Sequence, residues 1–263
     1  MYLLAAVGAV LLALSAVPGT VESAVPGTVE LHVGAASDLR FALEELTARF
    51  ERAHRVRVRV TLGSSGQLAA QIAQGAPFDV FFSADDTFVR TLADQGAIRK
   101  DSIRLYAIGR IVLWVRSAST IDPTQGLGVL TGQAVRFVAI ANPAHAPYGR
   151  AAEQALKKAG VYDRVRAKLV LGENISQALQ FVQTGNADAG IVALSLAIAP
   201  AVKTRGRYWV IPSYLHRPIR QAVGVTTRSH QQGLAGTFVA FVNSAAGREI
   251  MRRYGFALPG EPL

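Results

Sequence analysis

Apolar and basic residues alternate strictly over residues 55–60, where valine occupies every second position. A period of two predicts a β-strand with one face in solvent. The period changes after the polar turn at residues 63–66, because apolar residues within 67–73 recur at helical spacing. A short apolar run at 80–82 then predicts a buried strand. This part of the chain is therefore a strand–loop–helix–strand unit.

A second unit of the same kind precedes it. A strand at residues 31–33 leads into the small polar loop 34–38, and leucines and a phenylalanine over 39–50 form one helix face. Together the two units form a βαβαβ run, which favours a parallel sheet with helices on its faces. Ligands of such sheets lie beyond the carboxyl ends of the strands. Ser37 and Ser65 are both expected at that edge.

The start of each helix offers backbone N–H groups without acceptors and the positive end of the helix dipole, so the serine-bearing loops suit an anion. An alternative remains open for the loop at 63–66. Ser64 or Ser65 could simply cap the following helix. In the loop at 34–38, Ser37 or Asp38 is the expected N-cap.

The second half of the chain repeats the pattern. Strands at 137–140 and 169–171 each run into a polar loop and a helix. We predict one long apolar strand over Ile108–Val115, and a strand at 218–226 that returns to the first half. Two α/β lobes that exchange strands near residues 110 and 221 would enclose a cleft, which four helix N-termini would line.

Charge and composition exclude several functions. The formal net charge is +10, yet the basic residues are scattered along the 263 residues, which argues against a nucleic-acid partner. A generally positive field would instead raise the encounter rate with anions. The chain has no cysteine, so disulfides, thiolate metal sites and cysteine nucleophiles are excluded.

The first 23 residues have the features of a cleaved export signal. An uncharged apolar run over Leu3–Val17 is followed by small residues and helix breakers. We expect cleavage near Ser23 or Ala24. The eight letters SAVPGTVE occur twice in succession, at residues 15–22 and 23–30, and we assign this repeat no structural meaning.

Catalytic motifs are weak in this sequence. Asp38 and Asp85 could form a carboxylate pair, but helix capping is the favoured interpretation for both. The five histidines lack metal-ligand spacing, and His145 is expected to be a surface residue. No Walker lysine and no GxSxG elbow occurs. An enzyme that uses the helix N-termini as an oxyanion hole would need a nucleophile–base pair such as serine with histidine, and the loop motifs supply none.

Seven segments, in this order along the chain, resemble the periplasmic molybdate-binding proteins of bacterial ABC importers, a family of type II periplasmic binding proteins. Each segment alone is a weak signal, whereas the ordered set spans nearly all of the chain after the export signal. The segments are AASDL (35–39), GSSGQLAAQIAQGAPFDVFFSAD (63–85), YAIGRIVLW (106–114), IANPAHAPYG (140–149), ENISQAL (173–179), ADAGIVALS (187–195) and RRYGF (252–256).

The resemblance implies an α/β fold of two lobes, each a mostly parallel sheet flanked by helices, with the ligand cleft between them. Residues 28–109 and 222–263 would form the first lobe and residues 110–221 the second, after a signal peptide at 1–23. The chain would be a periplasmic binding protein and not an enzyme. It would be a monomer, without a cofactor, that delivers molybdate or tungstate to a membrane permease.

The resemblance also implies the ligands of the oxyanion, which it assigns to five positions and to no bare metal ion. Ser37 and Ser65 would each supply a hydroxyl and an amide, whereas Asp38, Tyr148 and Ile175 would supply mainly amides. Many members of the family carry a tyrosine ligand where this chain has Ala193, so that donor is missing here.

Hydrogen bonds from neutral donors at helix N-termini can offset the cost of burying a dianion. A rigid cage of such donors also selects by size, because a smaller anion leaves some donors unpaired. Another tetrahedral oxyanion, such as sulfate or phosphate, is the alternative ligand.

Overall fold

The computed structural model describes residues 29–261 and contains ten strands and nine α-helices in that range. The predicted signal peptide and its cleavage site near Ser23 lie outside the described residues. The strands are β1 (Glu30–Ala36), β2 (Arg57–Gly63), β3 (Val80–Ser83), β4 (Arg104–Gly109), β5 (Ile111–Arg116), β6 (Val138–Ala141), β7 (Leu169–Gly172), β8 (Ala189–Ala193), β9 (Gly206–Val210) and β10 (Ile219–Val225). The helices are α1 (Arg40–His54), α2 (Ser65–Ala73), α3 (Asp86–Asp94), α4 (Pro147–Lys158), α5 (Tyr162–Val165), α6 (Ile175–Gln183), α7 (Leu194–Ala197), α8 (Gln232–Val242) and α9 (Ala245–Arg253).

The strands form two five-stranded sheets with the orders β2-β1-β3-β10-β4 and β7-β6-β8-β5-β9. In each sheet the first three strands are parallel and are connected through helices, as the βαβ pattern of the sequence predicts. The remaining pairings are antiparallel: β10 pairs with β3 and β4, and β5 pairs with β8 and β9, so both sheets are mixed. The expected α/β fold of two sheets flanked by helices is confirmed. We call the elements around the two sheets the first and second lobes.

The chain crosses from the first sheet to the second between β4 and β5 and returns between β9 and β10. The single strand predicted over Ile108–Val115 is therefore wrong: it divides at Arg110 into two strands of different sheets. The backbone carbonyl of Arg110 accepts a bond from Leu194, and its guanidinium donates to the carbonyl of Gly255. The predicted lobe boundary at residue 221 falls inside β10, and the boundaries themselves stay a prediction.

Each sheet has its own apolar core. Around the first sheet, Phe50, Phe82 and Phe238 pack edge to face, with ring centroids 4.8 and 5.9 Å apart for the two pairs that contain Phe238. Around the second sheet, all of β5 from Ile111 to Val115 is fully buried. A further buried cluster of the first lobe, around Leu68, Ile72 and Phe81, covers the other face of the first sheet. Among residues 29–261, no helix has both the length and the apolar character needed to cross a membrane.

Candidate functional site

A small cavity lies between the two lobes, where the carboxyl ends of the parallel strands face one another. Its empty space, part of which is open to solvent, is about 190 Å³. The structure brings together at this cavity all five residues that the family resemblance singles out. Its lining consists of Ala36, Ser37, Asp38, Gly63, Ser64, Ser65, Ala84, Ala146, Pro147, Tyr148 and Ile175.

Helix α2 directs its N-terminus at the cavity, and the structure separates the roles of its two serines. Ser64 is the N-cap, whose hydroxyl accepts a bond from the backbone N–H of Gln67 at 3.4 Å. Ser65 is the first residue of the helix and is fully buried, and its hydroxyl oxygen accepts from the backbone N–H of Ala84 at 2.9 Å. Because that bond uses a lone pair, the hydroxyl proton of Ser65 remains able to donate. Its backbone N–H has no acceptor within α2.

Helices α4 and α6 of the second lobe present backbone N–H groups in the same way. Tyr148 is the second residue of α4, behind Pro147, and no side chain caps this helix. Ile175 is the first residue of α6, and its N-cap Asn174 accepts from the two N–H groups that follow Ile175, each at 3.1 Å. The cap therefore leaves the N–H of Ile175 unused, and the first turn of α4 also offers N–H groups. Both helices add the positive ends of their dipoles.

Ser37 links the lobes in this structure. It begins a 3₁₀ helix, Ser37–Leu39, that leads into α1. Its hydroxyl donates to Asn174 Oδ1 at 3.0 Å and accepts from the backbone N–H of Ser176 at 3.2 Å, while the Ser176 hydroxyl donates to the Ser37 carbonyl at 2.9 Å. Three hydrogen bonds thus join the first lobe to the N-terminus of α6. An anion would compete with Asn174 for the hydroxyl proton of Ser37.

The interpretation of Asp38 as a helix cap is wrong. The N-cap of its 3₁₀ helix is Ala36, without a side-chain bond. The Asp38 carboxyl is buried behind the cavity, where Oδ2 accepts from the Tyr148 hydroxyl and from Gln221 Nε2, both at 2.8 Å. Oδ1 has no partner among the described residues. Burial raises the pKa of this carboxyl to about 7, against the opposing effect of the bonds from Gln221 and Tyr148.

Asp85, unlike Asp38, caps a helix as expected. It is the N-cap of α3, and its Oδ1 accepts from the backbone N–H of Thr87 at 3.0 Å. Its other carboxylate oxygen accepts from Arg150 of α4 at 2.6 Å, which adds an ion pair between the lobes. The two aspartates face different partners, and nothing in this arrangement makes them a catalytic pair.

Gln221 completes the polar group behind the cavity. This residue of β10 is fully buried, and its Nε2 also donates to the Tyr148 hydroxyl at 2.9 Å. The Tyr106 hydroxyl donates to Gln221 Oε1 at 2.6 Å. Burial and the nearby Asp38 raise the pKa of both tyrosines. Sequence reasoning missed Gln221, whose signal was a single amide side chain in the predicted strand at 218–226.

The opposite side of the cavity is its mouth, where the loop before α2 meets the second lobe. The Ser64 hydroxyl lies 2.8 Å from His145 Nδ1, and the N–H of Gly66 donates to the His145 carbonyl at 2.9 Å. Gln67 Nε2 donates to Glu173 Oε2 at 2.7 Å. A Cβ on Gly66 would lie 2.7 Å from that carbonyl, so only glycine allows this approach. His145 is thus a contact between lobes, not the ordinary surface residue that was expected.

Ser64 and His145 are also the serine–histidine pair that an enzyme would need. Their geometry serves a different purpose, because the Ser64 hydroxyl is the cap of α2 and also lies 3.0 Å from Gln67 Oε1. The nearest carboxylate oxygen of Glu173 is 3.6 Å from His145 Nε2, beyond a hydrogen bond. Within residues 29–261, no group of three or more His, Asp or Glu side chains could hold a metal ion.

Comparisons with known proteins agree with this arrangement. Residues 31–257 match the family described as "Bacterial extracellular solute-binding protein". The chain is 36% identical over 256 residues to the "Molybdate-binding protein ModA" of Azotobacter vinelandii, covering 97% of each chain. It is 37% identical over 213 residues to the protein of the same name from Rhodobacter capsulatus, covering 81% of this chain and 82% of the relative.

Among solved structures, the periplasmic molybdate-binding protein of Azotobacter vinelandii superimposes with a TM-score of 0.83 at 35% identity. The alignment covers 87% of this chain and 99% of that one. The likeness therefore extends over both lobes and the cavity between them.

Proposed function

The chain belongs to the family of bacterial extracellular solute-binding proteins, and on that premise we propose that it captures molybdate or tungstate between its lobes. The anion would then pass to the membrane permease of an ABC importer. Binding, not catalysis, is the function. Relatives that share more than a third of their residues with this chain over most of its length are molybdate-binding proteins by name, which supports the proposal.

One observation carries the proposal: donors from both lobes converge on one small cavity without a cationic side chain in its lining. The proposed donors are the N–H groups of Ser37, Asp38, Ser65, Tyr148 and Ile175 and the hydroxyls of Ser37 and Ser65, all of them residues of the cavity lining. A tetrahedral dianion offers four oxygens, each of which accepts more than one hydrogen bond. Charge-assisted bonds from such donors, at the positive ends of α2, α4 and α6, offset the loss of hydration.

The same donors favour a large oxyanion over a small one. Sulfate has shorter bonds to oxygen than molybdate, so it cannot reach donors of both lobes at once unless the lobes move closer together. The interlobe contacts through Ser37 and Gly66 limit that movement. Sulfate would therefore leave buried N–H groups unpaired, which costs about 1–3 kcal/mol for each group.

We further propose that the protein acts as a monomer in the periplasm, with a signal peptide cleaved near Ser23. The structurally similar molybdate-binding protein of Azotobacter vinelandii is periplasmic, which supports this proposal. The anion is cargo and no resident cofactor is required. A permease of the molybdate ABC type is the expected protein partner, and nucleic acid is not expected to bind.

Isothermal titration with molybdate, tungstate, sulfate and phosphate tests the proposal. We expect one anion per chain, with molybdate and tungstate bound at least about 100-fold more tightly than sulfate, since two unpaired donors cost about 3 kcal/mol. Phosphate should bind as weakly as sulfate. Equal affinity for sulfate would overturn the size argument, and no heat with any of the four anions would overturn the function.

A pair of adjacent serines provides a matched variant test. Ser65→Ala removes a hydroxyl that faces the anion and should weaken molybdate binding about 10- to 150-fold. Ser64→Ala removes the cap of α2 and should instead lower the free energy of unfolding by about 1 kcal/mol, with a smaller loss of affinity. If Ser64→Ala lowers the affinity for molybdate more than Ser65→Ala does, the anion lies nearer Ser64 and the assignment of Ser65 is wrong.

A further inference from the structure

Behind the cavity, the side chains of two residues whose amides face the anion meet across the lobes. Tyr148 of α4 donates its hydroxyl proton to the Asp38 carboxyl of the first lobe at 2.8 Å. Gln221 donates to both members of this pair, at 2.8 Å to Asp38 and at 2.9 Å to Tyr148. The three side chains are 2% exposed or less. A hydrogen-bonded triangle therefore joins the lobes in a fully desolvated position.

The orientation of the Gln221 amide follows from a fourth residue. The Tyr106 hydroxyl donates to Gln221 Oε1 at 2.6 Å, so Nε2 with its two protons faces Asp38 and Tyr148. Gln221 and Tyr106 lie on β10 and β4 of the same sheet, and the register of that pair shifts at Gln221. The first lobe thus fixes the orientation of the Gln221 amide independently of the second lobe.

The crossing between the lobes leaves space for the triangle. Gly109 is the last residue of β4, directly before the chain enters the second sheet. A Cβ at this position would lie 2.2 Å from the Tyr148 hydroxyl and 2.8 Å from Gln221 Nε2. Any side chain at residue 109 would therefore displace Tyr148 or Gln221. The absence of a side chain at residue 109 therefore makes room for the triangle where the chain crosses between the lobes.

We propose that Gln221 is a positioning residue that holds the lobes closed around the bound anion without touching it. The inference rests on the proposed function. Tyr148 belongs to the second lobe, whereas Asp38 and Gln221 belong to the first, so opening of the cleft breaks two bonds of the triangle. The triangle forms only at closure, and it also fixes the two residues, Asp38 and Tyr148, whose backbone N–H groups would bind the anion.

This role predicts a specific change in kinetics. Association starts from the open state, in which the triangle is absent, whereas release requires that it break. Gln221→Leu should therefore raise the dissociation rate of molybdate about 10- to 100-fold, because it leaves the buried Asp38 carboxyl with one hydrogen bond fewer and the buried Tyr106 hydroxyl without its acceptor. The association rate should stay within about threefold. Release of radiolabelled molybdate into excess tungstate, followed by rapid filtration, measures the first rate directly.

Gln232→Leu is the matched control. Gln232 Nε2 donates to the carbonyls of Thr226 and Ser229 within the first lobe, away from the cleft. The same substitution there should leave both rates within about twofold of the wild type. Thermal unfolding of each variant shows whether it is folded.

A swapped pair tests the triangle independently of lost packing. Gln221→Glu places a second carboxyl against Asp38 and should accelerate release at least as much as Gln221→Leu. Adding Asp38→Asn restores a carboxamide–carboxylate pair in reversed order. The new carboxamide at position 38 can donate to the new carboxylate at position 221, and the hydroxyls of Tyr106 and Tyr148 can donate to that carboxylate as well. The double variant should release molybdate within about fivefold of the wild-type rate. If Gln221 only filled space in the core, the double variant would release molybdate as fast as Gln221→Glu does.

The outcomes separate the two proposals. Wild-type protein that does not retain molybdate overturns the proposed function, and with it this inference. Wild-type protein that retains molybdate while folded Gln221→Leu releases it at the wild-type rate overturns only the role of Gln221. If Gln221→Leu does not fold, the release rates of Gln221→Glu and of the double variant are compared instead. Equally fast release from these two variants would contradict the proposed role of the triangle.

Discussion

The contacts between the lobes form two groups that differ in their exposure to water. The hinge-side cluster, Asp38, Tyr106, Tyr148 and Gln221, lies behind the cavity, and each of its residues is 2% exposed or less. The mouth contacts, Ser64, Gln67, His145 and Glu173, lie around the start of α2, where Ser64 is buried but the His145 and Glu173 side chains are 22% and 62% exposed. Both groups consist of hydrogen bonds of 2.6–2.9 Å between side chains.

Equal distances do not imply equal contributions. A hydrogen bond in contact with water replaces one made to water, so its net effect is small. A buried group that loses its partner keeps the full cost of desolvation. We therefore infer that the hinge-side cluster stabilises the closed state, whereas the mouth contacts mainly align the lobes at the entrance of the anion.

The largest expected effect is a pH dependence that the hinge-side cluster produces. The folded protein holds the Asp38 proton up to a pH of about 7, whereas the unfolded chain releases it near 3.8. Between these values the folded state binds more protons, so its free energy of unfolding falls as the pH rises, by roughly 1.4 kcal/mol per pH unit. The contribution is constant above pH 7, where both states are deprotonated.

Thermal unfolding in saturating molybdate, which keeps the lobes closed over Asp38, measures this effect between about pH 5 and pH 8. The melting temperature should fall with pH in the wild type but not in Asp38→Asn, which cannot ionise at this position. Burial lowers the pKa of His216, so this histidine adds only a rise in stability with pH in both proteins. Glu45 and Asp101, whose pKa values their arginine neighbours lower, lose their ion pairs only below this window. Equal slopes in the two proteins would show that the Asp38 carboxyl is charged and solvated, contrary to its burial.

The second prediction removes one hydroxyl from the hinge-side cluster. Tyr148→Phe deletes a donor to Asp38 and an acceptor for Gln221, and the buried carboxyl keeps one side-chain bond. Molybdate should bind about 10- to 100-fold more weakly by calorimetry, although the backbone N–H of Tyr148 remains. Tyr162→Phe, at a half-buried position beside Lys157 and outside the cavity, is the control and should change nothing. A loss below twofold in Tyr148→Phe would mean that the cluster does not hold the closed state.

The smallest expected effect lies at the mouth. Gln67→Ala removes the bond to Glu173, and His145→Ala removes the contact with the Ser64 hydroxyl. Each variant should weaken molybdate binding less than about fivefold, because Glu173 and His145 both reach water, and hydrogen bonds in contact with water contribute about 1 kcal/mol or less. The same calorimetric titration measures both variants. A loss in either variant as large as that in Tyr148→Phe would invert the comparison between the two sides of the cavity.

Local patterns in the sequence predict much of the fold and part of the site. The change of period from two to 3.6 locates the strand–loop–helix units, and a helix start lies within a few residues of its own signals. Ser65 and Ile175 could therefore be placed at helix N-termini from the sequence alone. Their amides reach the cavity because the carboxyl ends of parallel strands share one edge.

The remaining features depend on contacts between distant residues. The carboxyl of Asp38 binds partners that are 110 and 183 positions away, so its neighbours in sequence could suggest only a helix cap. The break at Arg110 was missed because an apolar run does not reveal that two sheets share it. His145 lies in a polar loop that only the assembled lobes bring against α2.

The most direct test of the account is a crystal structure of the molybdate complex with anomalous diffraction data collected at the molybdenum absorption edge. We predict one strong molybdenum peak in the cavity between the lobes. Oxyanion oxygens should lie about 2.7–3.0 Å from the backbone nitrogens of Ser65 in the first lobe and of Tyr148 and Ile175 in the second. A peak outside this cavity, or an anion bound by one lobe alone, would contradict the account.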